Sequence, residues 1–211
     1  MKNFTLIFFL LLSLQVLAQP AKVISECTVI YELSVEEAKD PELKRSMNGA
    51  TKTLYIKGTK VRSDLTSSNY TQTTFSDSKT DSTVVLRELG KAKYMSYLSQ
   101  QKKAEQNKKF DGVIFNKTGE TKTILGYECT KVVAKLKDGS TYNVYYAASI
   151  APSHNEYEYQ FKDIPGFVLE YETESESEDG KMKIKYTATK ISLTPVPASK
   201  FDLPKSGYRI L

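Results

Sequence analysis

The only histidine of the chain, His154, is the first side chain to weigh as a catalytic group. Ser153 precedes it directly, so a hydroxyl and an imidazole stand side by side in one loop. Serine hydrolases of the Gly-x-Ser-x-Gly type instead bring the histidine from elsewhere in the sequence. A single histidine also excludes any zinc site that needs two or more. We therefore predict no catalytic residue, no metal site and no cofactor. If the protein were a hydrolase, His154 would be its only candidate general base.

Paired carboxylates are the second arrangement that could do chemistry, because two acids about 5–10 Å apart in a cleft can hydrolyse a glycosidic bond. Most acids of this chain fall in charge-alternating segments or at turns, where Asp77, Asp81 and Asp111 lie. Aspartate is common at turns because its side chain bonds the local backbone. The segment from Asp77 to Asp81 also lacks the ligand spacing of an EF-hand calcium loop. The chain is therefore predicted not to be an enzyme.

Two cysteines, Cys27 and Cys129, both fall on predicted strands. In an oxidising compartment they could form one cross-strand disulfide. The alternative is a pair of buried free thiols, since free cysteine packs as a small apolar side chain. A redox-active Cys-x-x-Cys spacing is absent.

The first residues have the pattern of a secretory signal peptide. Lys2 gives a positive start, an apolar run follows from Phe4 to Leu14, and the small residues before the predicted cleavage site end at Ala18. The run is shorter than the roughly 20 apolar residues that a membrane-spanning helix needs. We predict a leader over residues 1–18, cleaved after Ala18, and a single β-rich envelope domain over 19–211. The protein would be periplasmic or secreted, with peripheral membrane contact at most.

The formal net charge is +5, but positive and negative side chains alternate along the sequence. Lysines cluster between Lys102 and Lys109, whereas acids cluster between Glu170 and Asp179. A nucleic-acid-binding protein would need one contiguous basic face. The pattern predicts solvated surfaces and no nucleic-acid partner.

Short alternating runs rich in Val, Ile, Thr and Tyr predict a mainly β (α+β) fold. We expect a single curved antiparallel sheet, resembling a half-barrel, with one or two short covering helices. One helix should begin at Asp40-Pro41-Glu42 and end before Gly49, and a second should span Ser99–Lys109. Strands are predicted at Cys27–Val35, Thr53–Lys57, Thr59–Leu65, Tyr70–Ser76, Thr83–Arg87 and Lys93–Leu98.

Two Asp-Gly pairs predict hairpins with a definite register. Folding at Asp179-Gly180 places Glu174 opposite Lys185, so that opposite charges pair on one face. Folding at Asp138-Gly139 places Val133 opposite Val144.

The segment from Glu156 to Phe161 alternates acidic or amide side chains with aromatic ones, which predicts another strand. Its aromatic side chains, with those of the following strand, either fill the core or line a concave face that closes over an apolar ligand. This candidate ligand-binding set is Tyr157, Tyr159, Phe161, Phe167, Leu169 and Tyr171.

Three stretches carry a family resemblance: Thr123–Lys131 with Tyr145-Tyr146, Phe161–Glu170, and Phe201–Tyr208. The first contains Ile-Leu-Gly-Tyr-Glu-Cys and the second contains Ile-Pro-Gly-Phe-Val-Leu. Together they resemble exported bacterial GLPGLI-type proteins of unknown function, and the third is similar to the end of envelope proteins with a LolA/LppX-like fold. The resemblance implies an envelope or secreted location and a curved antiparallel sheet, which in the LolA-like fold holds lipid.

The sequence thus favours an exported binding or carrier domain that holds a lipid or other apolar small molecule. The alternative is a structural or protein-interaction module of the cell envelope. That module would bind a protein partner through the charged hairpin Glu170–Lys190 or an exposed sheet edge.

Overall fold

A computed structural model describes residues 20–38, 41–177 and 180–211. The predicted leader at 1–18, Asp40 and Asp179 lie outside the described residues. The helices are α1 (Pro41–Met47) and α2 (Gln100–Asn107), with 3-10 helices at Lys108–Phe110, Asn155–Tyr157, Tyr159–Phe161 and Ala198–Phe201. The strands are β1 (Lys22–Ile24), β2 (Glu26–Ala38), β3 (Thr51–Lys57), β4 (Lys60–Thr66), β5 (Tyr70–Asp77), β6 (Ser82–Leu89), β7 (Ala92–Tyr97), β8 (Ile114–Ile124), β9 (Tyr127–Lys135), β10 (Thr141–Ala147), β11 (Ile150–Pro152), β12 (Phe167–Ser177), β13 (Gly180–Ser192) and β14 (Arg209–Ile210).

One open sheet of 12 strands dominates the fold, in the order β14-β7-β6-β5-β4-β3-β2-β13-β12-β10-β9-β8. Neighbouring strands are antiparallel except for β14 and β7. A separate two-stranded parallel sheet joins β1 to β11. The predicted mainly β fold, with a large curved sheet and short helices, is confirmed. Among the described residues, no helix combines the length and the apolar character needed to span a bilayer.

The predicted strands from Cys27 to Leu98 are each confirmed, with ends that move by three residues at most. Helix α1 begins at Pro41, whose fixed φ suits the first helical position. Helix α2 begins after Ser99, whose hydroxyl accepts a hydrogen bond from the Lys102 backbone N–H at 3.3 Å. The local signals at both helix starts therefore predicted the element correctly.

Both predicted hairpins form, but both predicted registers were wrong. Gly180 pairs with Ser177 in the ladder instead of occupying the turn, so Glu174 lies opposite Lys183 and not opposite Lys185. This shift of two residues leaves every side chain on its predicted face.

The Asp138-Gly139 hairpin differs from its prediction by one residue. Val144 lies opposite Val132, not Val133. Gly139 has a φ of +89° and donates its N–H to the Leu136 carbonyl, so it is the last residue of a longer turn. A shift of one residue turns the side chains of one strand to the opposite face relative to its partner. The two-residue turn assumed in the prediction therefore gave Val144 the wrong partner.

The predicted strand from Glu156 to Phe161 was also wrong. This segment forms two 3-10 turns, Asn155–Tyr157 and Tyr159–Phe161. Side chains three or four residues apart then share a face, and Tyr157 and Phe161 are buried while Tyr159 is half-buried. Alternation alone could not distinguish a strand from two short turns that bury two of three aromatic side chains.

The two faces of the large sheet are used differently. The inner face, defined as the face that carries Leu54 and Ile56, holds the main core together with the segment Asn155–Ile164. The outer face carries a second, smaller core where the C-terminal Tyr208 packs against strands β5 to β7. The buried residues of that outer cluster are Phe75, Val84, Leu86 and Met95.

A buried lysine sits at the centre of the inner core. The Lys52 Nζ lies between 5.3 and 5.8 Å from the ring centroids of Tyr31, Tyr171 and Tyr186 and forms an ion pair with Glu158. It also donates a hydrogen bond to the Tyr171 hydroxyl at 2.8 Å. Only 11% of the Lys52 side chain and 15% of the Glu158 side chain are exposed.

These contacts reveal how strongly the sheet bends. Lys52 belongs to β3 and Tyr171 to β12, and strands β2 and β13 lie between them. Neighbouring strands are about 4.8 Å apart, so a flat sheet would keep the two side chains well out of reach. The Tyr31 hydroxyl likewise reaches from β2 to the Val168 carbonyl on β12 at 2.8 Å.

Gly166 lies where the covering segment returns to the sheet. A Cβ atom built at this position would stand 2.5 Å from the Ala147 carbonyl oxygen and 2.7 Å from Cδ2 of Tyr146. The first of these neighbours is backbone, which cannot move aside as the end of a flexible side chain can. Only glycine fits this crossing between the loop and β10.

Both cysteines are buried and free in this structure, and the choice between a disulfide and a pair of free thiols stays a prediction. Cys27 on β2 and Cys129 on β9 belong to the same inner core. Burial raises the pKa of the Cys27 thiol to about 12 and that of Cys129 to about 11. Both thiols are therefore neutral and unreactive near neutral pH.

We predict that replacing Lys52 with methionine lowers the free energy of unfolding by about 3 kcal/mol, because Glu158 would remain buried without its cation. Denaturant unfolding followed by circular dichroism measures the change. The matched control is Lys60→Met at the exposed first residue of β4, with no expected loss above about 0.5 kcal/mol. Adding Glu158→Gln to Lys52→Met should recover part of the loss; a Lys52→Met protein as stable as the parent would contradict the role of the ion pair.

We predict that iodoacetamide modifies neither cysteine in the folded protein at about pH 8, because the raised pKa values keep both thiols protonated. Unfolding in guanidinium chloride without a reductant should expose both to alkylation, since an unfolded thiol has a pKa of about 8.5. Mass spectrometry counts the modified residues. Cysteines that resist alkylation after unfolding and react only after reduction would instead demonstrate a disulfide.

Candidate functional site

The inner face changes from apolar to polar along the sheet. One row of cross-strand partners runs over the inner face from β3 to β7. It consists of Leu54, Ser63, Thr74, Val85 and Ser96, each directly opposite the next. Leu54 is fully buried in the core, whereas Ser63 and Thr74 are only half-buried. The polar stretch starts at β4, where the covering segment Asn155–Ile164 no longer fills the whole face.

Two further rows across the same strands repeat the change. One runs from Ile56 through Val61, Ser76 and Thr83. The other begins at the caged Lys52 and runs through Leu65, Gln72 and Arg87. Period-two alternation places all of these side chains on one face, because residues at i and i+2 of a strand point the same way.

A cavity of about 250 Å³ lies above this polar floor, between β4 to β6, helix α2 and the loop after β11. We call it the inner cavity. Hydroxyl and amide side chains make up most of its wall, with two cations, one acid and the single histidine. Its lining residues are Thr59, Val61, Gln72, Thr74, Ser76, Ser78, Thr83, Val85, Arg87, Leu98, Lys103, Gln106, Asn107, His154, Glu156, Tyr157 and Tyr159.

Helix α2 separates the inner cavity from a second hollow of about 260 Å³. The two spaces share Lys103, Asn107, Glu156 and Tyr159, so they adjoin each other. Lys103 forms an ion pair with Asp81 at 2.7 Å, which ties helix α2 to the start of β6. The Tyr159 hydroxyl donates to a carboxylate oxygen of Asp111 at 2.6 Å and so anchors the opposite wall.

At one end of the inner cavity, a hydrogen-bonded trio orients the polar floor. The Gln72 Oε1 accepts hydrogen bonds from the Tyr70 hydroxyl at 2.7 Å and from the Arg87 Nε at 3.2 Å. Because both donors converge on the amide oxygen, the Gln72 amide nitrogen and the remaining guanidinium N–H groups are left to face other partners. This end of the cavity is rich in hydrogen-bond donors.

At the other end lies a hydroxyl without a partner. Thr83 is 8% exposed as a residue, and its Oγ1 forms no hydrogen bond with any residue that the structure describes. Thr83 lines the inner cavity. A buried hydroxyl without a partner is costly, so a ligand group that reached this oxygen, which solvent does not touch, would relieve that cost.

The six residues predicted to hold an apolar ligand lie in two places. Phe161, Phe167, Leu169 and Tyr171 are at most 3% exposed and pack within the core. Phe161 contacts the Tyr171 ring edge-on with centroids 4.9 Å apart, so these rings fill the space between loop and sheet.

The other two predicted residues reach the inner cavity. Tyr157 stacks on Phe167 at 5.1 Å between centroids, and Tyr159 is half-buried. Both appear in the cavity wall, beside polar side chains and not in an apolar groove.

His154 also reaches the inner cavity, where it is half-buried, but Ser153 beside it is exposed and lines neither hollow. The prediction of a non-catalytic protein stays a prediction. Within the described parts of the chain, no group of three or more His, Cys, Asp or Glu side chains is arranged to hold a metal ion.

Sequence reasoning missed the polar floor. Thr counts in the sequence analysis only as a strand-forming residue, because it suits pleated sheet. The available signal was the alternation along β5, where the apolar Phe75 lies between Thr74 and Ser76. Alternation shows that one face is polar, but only the bend of the sheet and the position of α2 turn that face into a cavity.

Comparison with known proteins gives limited information. No curated protein matches the chain. A solved structure described as "Structure of PNGF-II in C2 space group" superposes with a TM-score of 0.43 and 15% identity, over 88% of this chain and 30% of that one. The chain thus spans less than a third of that relative, and so low a TM-score supports no conclusion.

One protein family matches directly, over residues 42–157, from α1 to the first turn of the covering segment. The resemblance to domains of unknown function is confirmed at that level, while the finer assignment to GLPGLI-type proteins or a LolA/LppX-like fold gains no support here. Because the match covers more than half of the sequence, the chain belongs to the family described as "Domain of unknown function (DUF4412)".

Proposed function

We propose that this protein is an exported, non-catalytic binding protein whose inner cavity holds a small polar ligand. The observation that carries the proposal is the cavity itself, a space of about 250 Å³ floored by hydroxyl and amide side chains. Export is supported by the leader pattern from Lys2 to Ala18.

The size and shape of the inner cavity suit a small molecule. Ligand sites commonly measure roughly 300–1,000 Å³. The inner cavity alone, at about 250 Å³, falls just below that range, and the adjoining hollow of about 260 Å³ brings the combined space within it. Its floor belongs to paired strands, which hold the polar groups in fixed positions. A rigid floor reduces the entropy lost when a ligand binds.

The packing favours a polar ligand over the lipid expected from the sequence. The apolar half of the inner face is filled by the protein's own side chains, among them Phe161, Phe167 and Tyr171. The remaining space lies over Thr, Ser and Gln residues, which would lose hydrogen bonds to water without compensation if an acyl chain covered them.

The alternative, a protein-interaction module built on the charged hairpin, has weaker support. Glu172 accepts hydrogen bonds from Asn143 and forms an ion pair with Lys183 at 3.1 Å. Glu36 pairs with Lys183 and Lys185. These charges are balanced within the domain and require no protein partner.

We predict that Thr74→Trp abolishes ligand binding, because the indole would occupy the middle of the cavity floor. The matched control is Thr71→Trp, which puts the same ring on the outer face of the same strand. Native mass spectrometry of each protein, purified from its own host, should show a small polar molecule on the parent and on the control but not on Thr74→Trp. Equal melting temperatures for the two variants would show that both remain folded.

A parent protein that carries no small molecule, and shows no chemical-shift change with a metabolite extract of its host, would contradict the proposed function. A bound molecule that Thr74→Trp retains would place the binding site elsewhere.

A further inference from the structure

The charges around the inner cavity are unequally compensated. Lys103 is paired with Asp81, as described above. The Arg87 Nε, by contrast, donates a hydrogen bond to the amide oxygen of Gln72, and among the described residues no aspartate or glutamate forms an ion pair with Arg87. Arg87 as a residue is half-buried, so its positive charge is partly shielded from solvent.

The geometry around Arg87 suits an oxyanion. A guanidinium presents its N–H groups in a planar fork that matches the oxygens of a carboxylate or phosphate. Its Nε is already held by Gln72, and Gln72 is held in turn by Tyr70, so the fork is oriented before a ligand arrives. The Gln72 amide nitrogen adds neutral donors next to the fork.

The far end of the floor suits hydroxyl groups. Thr83 lies four residues before Arg87 on β6, a distance of about 13 Å along the strand. Ser76 lies directly opposite Thr83 in the ladder, and Thr59 and Ser78 line the same cavity. Hydroxyl groups both donate and accept, so this end can pair with the hydroxyls of a ligand.

The remaining charged groups set the direction in which a ligand would lie. Glu156 and His154 belong to the loop after β11, on the wall of the cavity, and Glu156 is exposed. An anion placed beside Glu156 would be repelled, whereas one beside Arg87 would be attracted. The negative end of the ligand should therefore lie at Arg87.

We propose that the ligand is a hydroxylated organic anion about as long as a disaccharide, with its carboxylate or phosphate at Arg87 and Gln72 and its hydroxyls along Thr74, Ser76 and Thr83. This inference rests on the proposed function and names the class of molecule that the inner cavity selects. Arg87 sets the preference for a charged ligand, and Thr83 the preference for hydroxyls.

The test uses isothermal titration calorimetry on the full mature chain with three probes: digalacturonate, trehalose monophosphate and neutral trehalose. At least one charged disaccharide should bind ten or more times more tightly than trehalose. Arg87→Met, which keeps the length of the side chain but removes the charge, should weaken that binding about 10- to 100-fold, as expected when hydrogen bonds to a charged group are lost. The matched control, Arg209→Met on exposed β14, should leave the affinity unchanged.

The two charged probes separate carboxylate from phosphate recognition, and inorganic phosphate alone should compete only at much higher concentration. Equal affinity for charged and neutral disaccharides, unchanged affinity in Arg87→Met, or no binding of any probe would each overturn the inference. The proposed function would still stand if the purified protein carried another small molecule that Thr74→Trp excludes, so the two failures are distinguishable.

Discussion

The buried pair of Lys52 and Glu158 is the interaction on which the rest of the architecture depends. An ammonium taken out of water is costly unless a carboxylate and further hydrogen bonds replace its hydration. Here the carboxylate comes from the covering segment, and the tyrosine rings come from β2, β12 and β13. The Lys52 ammonium therefore has all of these partners only when the sheet bends and the covering segment docks on it at the same time.

That bend separates the inner face into two regions with different roles. Where the loop docks, aromatic side chains meet and exclude solvent, as in the stacking of Tyr171 on Tyr186 at 4.5 Å. Farther along, the loop no longer reaches the floor, and hydroxyl-bearing strands remain accessible beneath α2. One curved surface thus provides both the stabilising core and a polar recess, with the same loop forming the boundary between them.

Most of the fold was predictable because its signals are local. Alternating side chains defined β2 to β7, and Ser99 and Pro41 defined the helix starts. The errors arose where a decision depended on distant contacts. Gly139 and Gly180 each had more than one allowed place in a turn, and the rings of Tyr157 and Phe161 are buried by the opposing sheet. The polar recess could not be predicted for the same reason, because the distance between β5 and α2 does not follow from any short stretch of sequence.

The tight crossing at Gly166 bears on how the Ile-Pro-Gly-Phe stretch should be interpreted. Steric exclusion at Ala147 would impose glycine there in any chain that routes its covering loop over the end of β10 in this way. This steric requirement is independent of any ligand. Proteins that share this tetrapeptide would accordingly be expected to share a route of the backbone, while the side chains on the inner face of their β5 and β6 strands remained free to diverge.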